Sequence, residues 1–215
     1  MNNNNFYSKV FLWLFIGLLV TFGSGYLTMN SETILRLLFS GVGYVIVIIA
    51  QLALCIFLTA RINKMQPTTA KICYVLYSLL TGLTFSVLFL MFKLDSIIMV
   101  FLVTALLFGI FALIGKTTNI DLTKFSTFLL IGLVGVILIE VINIFIMSNS
   151  LNIFACILSI IIFLGYIAFD MQRVKRFNDA GEESDNYAII CAFQLYLDFI
   201  NVFIDLLRLF GKNRD

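Results

Sequence analysis

Apolar residues along this chain are grouped into seven runs separated by short polar connections. A helix needs about 20 apolar residues to cross the roughly 30 Å hydrocarbon core of a bilayer. Each run meets that length, and residues 1–215 are therefore expected to form a single all-α membrane domain with seven transmembrane helices. The expected spans are approximately residues 10–27, 37–59, 71–92, 96–115, 125–147, 152–176 and 187–211.

The last run differs from the others because polar side chains recur within it at helical spacing. Successive members are four, three, four and three residues apart: Gln194, Asp198, Asn201, Asp205 and Arg208. This spacing places all five on one face of a helix. A charge at the centre of a bilayer costs at least a few kcal/mol, so that face cannot be turned towards lipid. We therefore expect the last helix to be central, with the other spans around it.

Composition narrows the possible chemistry. The chain is 61% hydrophobic and 12% charged, against about 25% charged residues in soluble domains. A net charge of +2 gives no sign of a nucleic-acid partner. Since there is no histidine, proton chemistry at neutral pH must fall to carboxylates. Four cysteines lie far apart within apolar runs and form neither a metal-binding motif nor a disulfide framework: Cys55, Cys73, Cys156 and Cys191.

Basic residues in the connections predict the orientation in the membrane. If the N-terminus is cytoplasmic, the outer connections between the first six spans carry only Arg36 and Lys93. The inner side then holds nine basic residues: Lys9, Arg61, Lys64, Lys71, Lys116, Lys124, Arg173, Lys175 and Arg176. The basic C-terminal end opposes this bias, so the side of the C-terminus stays open. A short, loop-poor chain with an Asn-rich start favours a bacterial inner membrane.

The connection before the last run is acidic and contains Asp179, Glu182, Glu183 and Asp185. It lacks the alternating ligands and the fixed glycine of an EF-hand calcium loop. We therefore interpret it as a solvated connection beside a basic helix end. An acidic segment of this kind also attracts cations electrostatically.

Ionisable residues inside the membrane are candidates for function. Asp170 and Asp198 lie in the sixth and seventh runs, and Arg61 lies at the inner end of the second. If the last two helices form an antiparallel hairpin, the helical rise puts Asp170 about 9 Å and Asp198 about 16 Å above the inner ends. Two carboxylates and one guanidinium are then expected to meet in the cytoplasmic third of the membrane.

Such a group has specific physical properties. Two carboxylates in contact at low dielectric cannot both ionise unless a cation joins them, so they titrate as a unit. An arginine bound to one acid keeps it charged and ties its helix down. Ca²⁺ prefers oxygen ligands and can replace either the proton or the arginine. A proton, Arg61 and Ca²⁺ would therefore compete for the oxygens of Asp170 and Asp198, which predicts a pH-dependent gate for cations.

Two stretches of the sequence also carry a family resemblance. The first is Tyr196-Leu197-Asp198-Phe199-Ile200-Asn201 with Phe203-Ile204 and Leu206-Leu207-Arg208-Leu209-Phe210-Gly211, and the second is Ile167-Ala168-Phe169-Asp170. They resemble the C-terminal signature and the second aspartate motif of the Bax inhibitor family, the transmembrane Bax-inhibitor-motif proteins. The resemblance implies a seven-helix fold with a central last helix. It also implies a bacterial pH-sensitive calcium leak with Asp170 and Asp198 as sensor and Arg61 as latch.

Glu140 and Asp205 depart from that pattern, since uncharged residues are expected at such positions in bacterial members. Glu140 is expected about 22 Å up its helix, between the levels of Asp198 and Asp205. Asp205 and Arg208 are three residues apart and can pair within their own helix. Glu140, Asp205 and Arg208 form either a satisfied structural network or a second cation site. Gln194 and Asn201 are expected to supply interhelical hydrogen bonds.

Several functions stay open at this stage: a calcium leak, a calcium–proton exchanger, a non-transporting scaffold that modulates stress or cell-death pathways, or an intramembrane aspartyl protease. Such proteases are expected to carry Gly-x-Gly-Asp, and neither Asp170 nor Asp198 has glycine at those spacings. We therefore expect no enzymatic activity and no cofactor. The expected partners are the lipid bilayer, protons and Ca²⁺ as a bound or transported ion.

Overall fold

The computed structural model describes residues 5–182 and 184–214, without the side chain of residue 63. Residues 1–4 of the polar N-terminal tail and Glu183 of the acidic connection lie outside the described residues. The described part contains eight α-helices: α1 (Asn5–Met29), α2 (Glu32–Leu38), α3 (Val42–Arg61), α4 (Pro67–Met91), α5 (Leu94–Thr117), α6 (Ser126–Ile146), α7 (Asn149–Asp179) and α8 (Asp185–Phe210). Short 3₁₀ turns at Ile62–Lys64 and Leu122–Phe125 adjoin α3 and α6. Within the same ranges, the only β-type pairing is an isolated bridge between Phe92 and Asn213.

Seven of these helices are long and apolar enough to cross a membrane, α2 being the exception. The predicted all-α membrane fold is thereby confirmed. The pattern did not predict the short helix α2, which begins after Ser31, whose side chain accepts a hydrogen bond from the Ile34 N–H. The chain then breaks at Gly41, where φ is 85°. Glycine adopts that conformation without steric cost, so the second apolar run is divided there.

The last helix, α8, is the most buried of the spanning helices. Burial reaches 72% in its apolar segment, whereas it is 39% or less in every other span. Asp198 and Asp205, on its polar face, are 5% and 4% exposed. This burial agrees with the central position expected for the last helix.

The chain divides into two compact units. The first contains Met1–Lys93, Phe177–Tyr196 and Asn213–Asp215, and the second contains Leu94–Arg176 and Leu197–Lys212. Helix α8 therefore contributes its first half to one unit and its second half to the other.

In the first unit, α1 packs closely along α4. A Cβ at Gly82 of α4 would collide with the side chain of Ser24, so glycine is needed for this approach. Tyr196 of α8 is fully buried, and its hydroxyl lies 2.6 Å from Thr21 Oγ1 of α1. Helix α3 is packed far less: only 6% of its apolar segment is buried.

In the second unit, α5 packs against the second half of α8 and against α7. The rings of Phe101 and Phe199 lie 5.3 Å apart. Gly115 of α5 meets the backbone of Ala168 in α7, where a Cβ would overlap backbone atoms. These close contacts set the position of α7 near Asp170.

Candidate functional site

Helices α7 and α8 are consecutive and run antiparallel. Near their connection, the rings of Phe177 and Tyr187 lie 4.8 Å apart. Further from the connection, the side chains of Asp170 and Asp198 are hydrogen-bonded to each other. A residue earlier in α7 therefore contacts a residue later in α8. This antiparallel alignment brings the two predicted sensor residues together.

The Asp170–Asp198 pair is deeply buried, with exposures of 6% and 5%. A hydrogen bond between two carboxyl groups requires a proton on one of them, because an ionised carboxylate can only accept. The second oxygen of Asp198, Oδ2, is buried and has no hydrogen-bond partner among the described residues. Leaving a polar atom unsatisfied costs roughly 1–3 kcal/mol. The pair therefore stands to gain from a bound proton donor or cation.

Two further groups act on this pair from α7. Arg173 lies one turn after Asp170, and its positive charge acts on the Asp170 carboxyl group. Tyr166 lies one turn before Asp170 and interacts electrostatically with both acids. From the sequence, Arg173 is predicted only as a basic residue of the inner side. The spacing of three residues between it and Asp170 is a signal that also indicates an interaction between them.

Arg61, the predicted latch, is the last residue of α3. Its side chain is exposed, and it belongs to the first unit, whereas Asp170 and Asp198 belong to the second. Its role as a latch stays a prediction.

A second polar group lies further along α8, about 10 Å from Asp198 given seven residues of helical rise. Arg208 Nη1 lies 3.1 Å from Glu140 Oε1 and 3.7 Å from Asp205 Oδ1. Asp205 also accepts hydrogen bonds from Ser159 and Cys156 of α7. The three residues suspected of forming a network from the sequence are thus in contact through one guanidinium nitrogen.

A pocket of about 440 Å³ opens beside this second group. Its lining comes from α6, α7 and α8: Glu140, Asn143, Ile144, Asn152 and Arg208. The side chains of Arg208 and Glu140 are 43% and 47% exposed, whereas that of Asp205 is 6% exposed. The guanidinium of Arg208 therefore links a half-exposed carboxylate that lines the pocket, Glu140, to a buried carboxyl group, Asp205.

Interhelical hydrogen bonds are predicted for the two amide side chains on the polar face of α8, Asn201 and Gln194. Asn201 Nδ2 donates to the Leu197 carbonyl of its own helix at 2.7 Å. The expected interhelical hydrogen bond is therefore wrong for this donor, because the carbonyl one turn earlier in α8 is within reach. Gln194 is half-buried and belongs to the first unit.

The connection between α5 and α6 is held on α7, two residues after Asp170. Gln172 Oε1 accepts from the Leu122 N–H at 2.9 Å, and Gln172 Nε2 donates to the Ile120 carbonyl at 2.8 Å. Asp121 accepts hydrogen bonds from the hydroxyl and the N–H of Thr123. These bonds hold the pKa of the Asp121 carboxyl below its usual value.

The first turn of α8 contains functional candidates that the sequence did not reveal. Asp185 Oδ1 lies 3.0 Å from Lys9 Nζ, and Asp185 Oδ2 lies 2.7 Å from Lys71 Nζ. The expectation that Asp185 belongs to a solvated connection is wrong, because helix α8 begins two residues earlier than predicted. Asp185 therefore lies in the first turn of α8, where it pairs with both lysines. The partners lie 176 and 114 residues away along the chain, so no local pattern indicates them.

Seven spanning helices with paired acids inside them define a helical integral membrane protein with ionisable groups in its core. The chain belongs to the Bax inhibitor family, since the family model described as "Inhibitor of apoptosis-promoting Bax1" matches residues 3–215.

Relatives are found in several bacteria. The chain is 38% identical to the inner membrane protein YbhL of Escherichia coli (strain K12), over 96% of this chain and 91% of that protein. It is 36% identical to an uncharacterized protein of Borreliella burgdorferi, over 99% of this chain and 94% of that protein. It is 34% identical to an uncharacterized protein of Rickettsia prowazekii, over 96% of this chain and 89% of that protein. The suspected family is thereby confirmed.

Proposed function

We propose that this protein is a pH-sensitive calcium leak channel whose gate is the Asp170–Asp198 pair. The observation that carries the proposal is the buried contact between two carboxyl groups on antiparallel spanning helices. Ionisable residues are rare inside membranes and typically mark ion or proton pathways. Oδ2 of Asp198, which has no hydrogen-bond partner in the described part of the chain, adds an acceptor for an incoming cation.

The gate works through competition for the same oxygens. A shared proton keeps the two carboxyl groups in contact and ties α7 to α8. When that proton leaves, two negative charges face each other at low dielectric and repel unless a cation joins them. Ca²⁺ takes six to eight oxygen ligands, so water and backbone carbonyls supply those that two carboxylates do not. The family resemblance assigns Arg61 the role of latch, a tethered cation that competes with calcium for the pair.

The same observation supports calcium–proton exchange as a second candidate. A proton must occupy the pair for its two carboxyl groups to be hydrogen-bonded, and calcium entry displaces that proton. Exchange moves protons against calcium with each turnover, whereas a leak does not. Proton movement recorded with a pH-sensitive dye during calcium flux separates the two mechanisms.

We further propose that the protein lies in a bacterial inner membrane with its N-terminus in the cytoplasm. The printed name of the YbhL relative and the bias of Lys and Arg residues towards one side support this arrangement. Labelling of single cysteines introduced into the connections, from one side of intact cells, tests the orientation. Labelling of the connection before α4 from outside the cell would contradict it.

The central experiment measures calcium flux into proteoliposomes across a pH series. Asp170→Asn and Asp198→Asn each remove one ionisable partner while keeping the size of the side chain, and both are expected to abolish the pH dependence. Glu32→Gln is the matched control, because Glu32 is 87% exposed and pairs with Arg36 one turn away. Normal pH dependence in both aspartate variants would refute the gate. Absence of flux at every pH, with stable co-purification of a protein partner, would favour a scaffold.

A further inference from the structure

The first turn of α8 is joined by polar contacts to three other parts of the first unit. Asp185 pairs with Lys9 of α1 and Lys71 of α4 at 3.0 and 2.7 Å. The next residue, Asn186, reaches the chain segment that ends α3. Two neighbouring side chains therefore hold the start of the most buried helix to α1, α3 and α4.

Asn186 acts as a cap for α3. Its Nδ2 donates to the carbonyl of Ile62 at 3.0 Å and to that of Met65 at 2.8 Å. The last carbonyl groups of a helix have no partner within that helix and need donors from elsewhere. One amide thus supplies a donor to the residue that caps α3 and to the residue that follows the adjoining 3₁₀ turn, from more than 120 positions away along the chain.

This cap matters because α3 has few other attachments. Leu58 is its only buried residue among those that the structure describes, and Ile62 follows directly after the helix, also buried. Midway along α3, Gln51 Nε2 donates to Thr81 Oγ1 at 3.0 Å. A helix with little buried surface opens locally at low free-energy cost. Its end is therefore sensitive to the loss of two hydrogen bonds.

We infer that Asn186 is a positioning residue that holds the Arg61 end of α3 against the first turn of α8. Arg61 is the residue directly before the capped turn at Ile62–Lys64, so its backbone position follows that of the turn. The functional part of this inference rests on the proposed role of Arg61 as a latch. Loss of the cap frees the residues that carry the guanidinium without altering any acid of the proposed gate.

The first test is structural and does not depend on calcium flux. Hydrogen exchange of the amides of residues 58–65 is measured on the full-length protein in lipid nanodiscs. Asn186→Ala is expected to accelerate their exchange about tenfold, since two hydrogen bonds to the segment are lost. If this variant does not fold, Asn186→Ser replaces it, because a hydroxyl donates one bond and should give a smaller acceleration in the same segment.

Two variants serve as controls for this measurement. Asn30→Ala removes an amide that also caps a helix end, donating to the Tyr26 carbonyl of α1 at 2.8 Å. Asp185→Asn weakens the neighbouring lysine pairs without touching α3. Both are expected to leave exchange in residues 58–65 unchanged. Unchanged exchange in the Asn186 variant, or equal acceleration in the Asp185 variant, would overturn the inference.

The second test is a double-mutant cycle on calcium flux in proteoliposomes. Asn186→Ala and Arg61→Gln are each expected to change the flux at least about threefold in the same direction, and the double variant to match Arg61→Gln alone. Effects that multiply would show that Asn186 does not act through Arg61. If Arg61→Gln leaves the flux unchanged while exchange still responds to Asn186→Ala, the latch role fails and the positioning role of Asn186 stands.

Discussion

Arg208 offers the clearest test of whether the second polar group is structural. Its Nη1 forms ion pairs with two carboxylates, Glu140 at 3.1 Å and Asp205 at 3.7 Å. Replacing it with Gln keeps a polar side chain of moderate length but removes the charge. Asp205, whose side chain is 6% exposed, then keeps its hydrogen bonds to Ser159 and Cys156 but loses its counter-charge.

The size of the effect follows from the burial of the partners. Breaking a fully buried ion pair costs about 3–5 kcal/mol, whereas an exposed pair contributes about 0–1 kcal/mol. The Arg208 and Glu140 side chains are 43% and 47% exposed, so solvent screens their side of the group. Asp205 is buried and feels the loss more fully. We therefore expect Arg208→Gln to lower the free energy of unfolding by about 2 kcal/mol, between the two limits.

Reversible unfolding in mixed detergent micelles gives the free energy of unfolding for the native protein and the variants. Arg36→Gln is the matched control, because Arg36 pairs with Glu32 at 3.4 Å with both side chains more than 80% exposed. Its change is expected to stay within about 0.5 kcal/mol. Adding Asp205→Asn to Arg208→Gln should recover part of the loss, since the buried charge is then removed together with its partner.

Two results would refute this reasoning. A loss for Arg208→Gln no larger than that for Arg36→Gln would show that Asp205 does not depend on the guanidinium. Full restoration of the Arg208→Gln variant by millimolar calcium would instead show that the two carboxylates form a cation site, the alternative that the sequence left open.

Three further predictions concern contacts within each of the two units. Tyr196→Phe removes the 2.6 Å contact with Thr21 and is expected to cost about 1 kcal/mol of unfolding free energy. Thr21 also donates to the Ser78 carbonyl at 3.0 Å, so adding Thr21→Val should cost more, but less than the sum of the two single losses; fully additive losses would contradict the contact. Gly115→Ala, which drives a Cβ into the Ala168 backbone, should cost roughly 1–3 kcal/mol. Gly109→Ala, whose Cβ would meet none of the described residues within 4 Å, should be tolerated; equal melting temperatures of the two variants would refute this. Gln172→Ala should speed tryptic cleavage after Lys124, because the α5–α6 connection loses both hydrogen bonds to α7; an unchanged rate would contradict its role.

The break between α2 and α3 is not predicted by hydropathy, although local signals for it are present in the sequence. Residues 37–59 form one apolar run, yet the helix stops before Gly41 and restarts at Val42. Ser31 and Gly41 are a helix start signal and a break signal respectively, and both are visible in the sequence. Hydropathy averaged over a span does not register them.

The proposed gate could be anticipated for a different reason. Asp170 and Asp198 lie in consecutive spans, and a short connection makes such spans antiparallel neighbours. Helical rise then predicts that two acids at similar distances from the connection meet. Arg173 is less evident from the sequence, because a basic residue near the end of a span is typical of the membrane surface, yet α7 continues as a helix to Asp179 and keeps Arg173 one turn from Asp170.

The sequence by itself determined the seven spans and the polar face of the last helix. The length of an apolar run and its helical periodicity are properties of neighbouring residues, so both can be read from the sequence without knowledge of the fold. Tertiary structure decided which distant groups meet: Asp185 with Lys9 and Lys71, and Asn186 with the end of α3. These contacts depend on how each packed helix is rotated about its axis and shifted along it. Side chains throughout each unit set that packing, so no local sequence pattern indicates it.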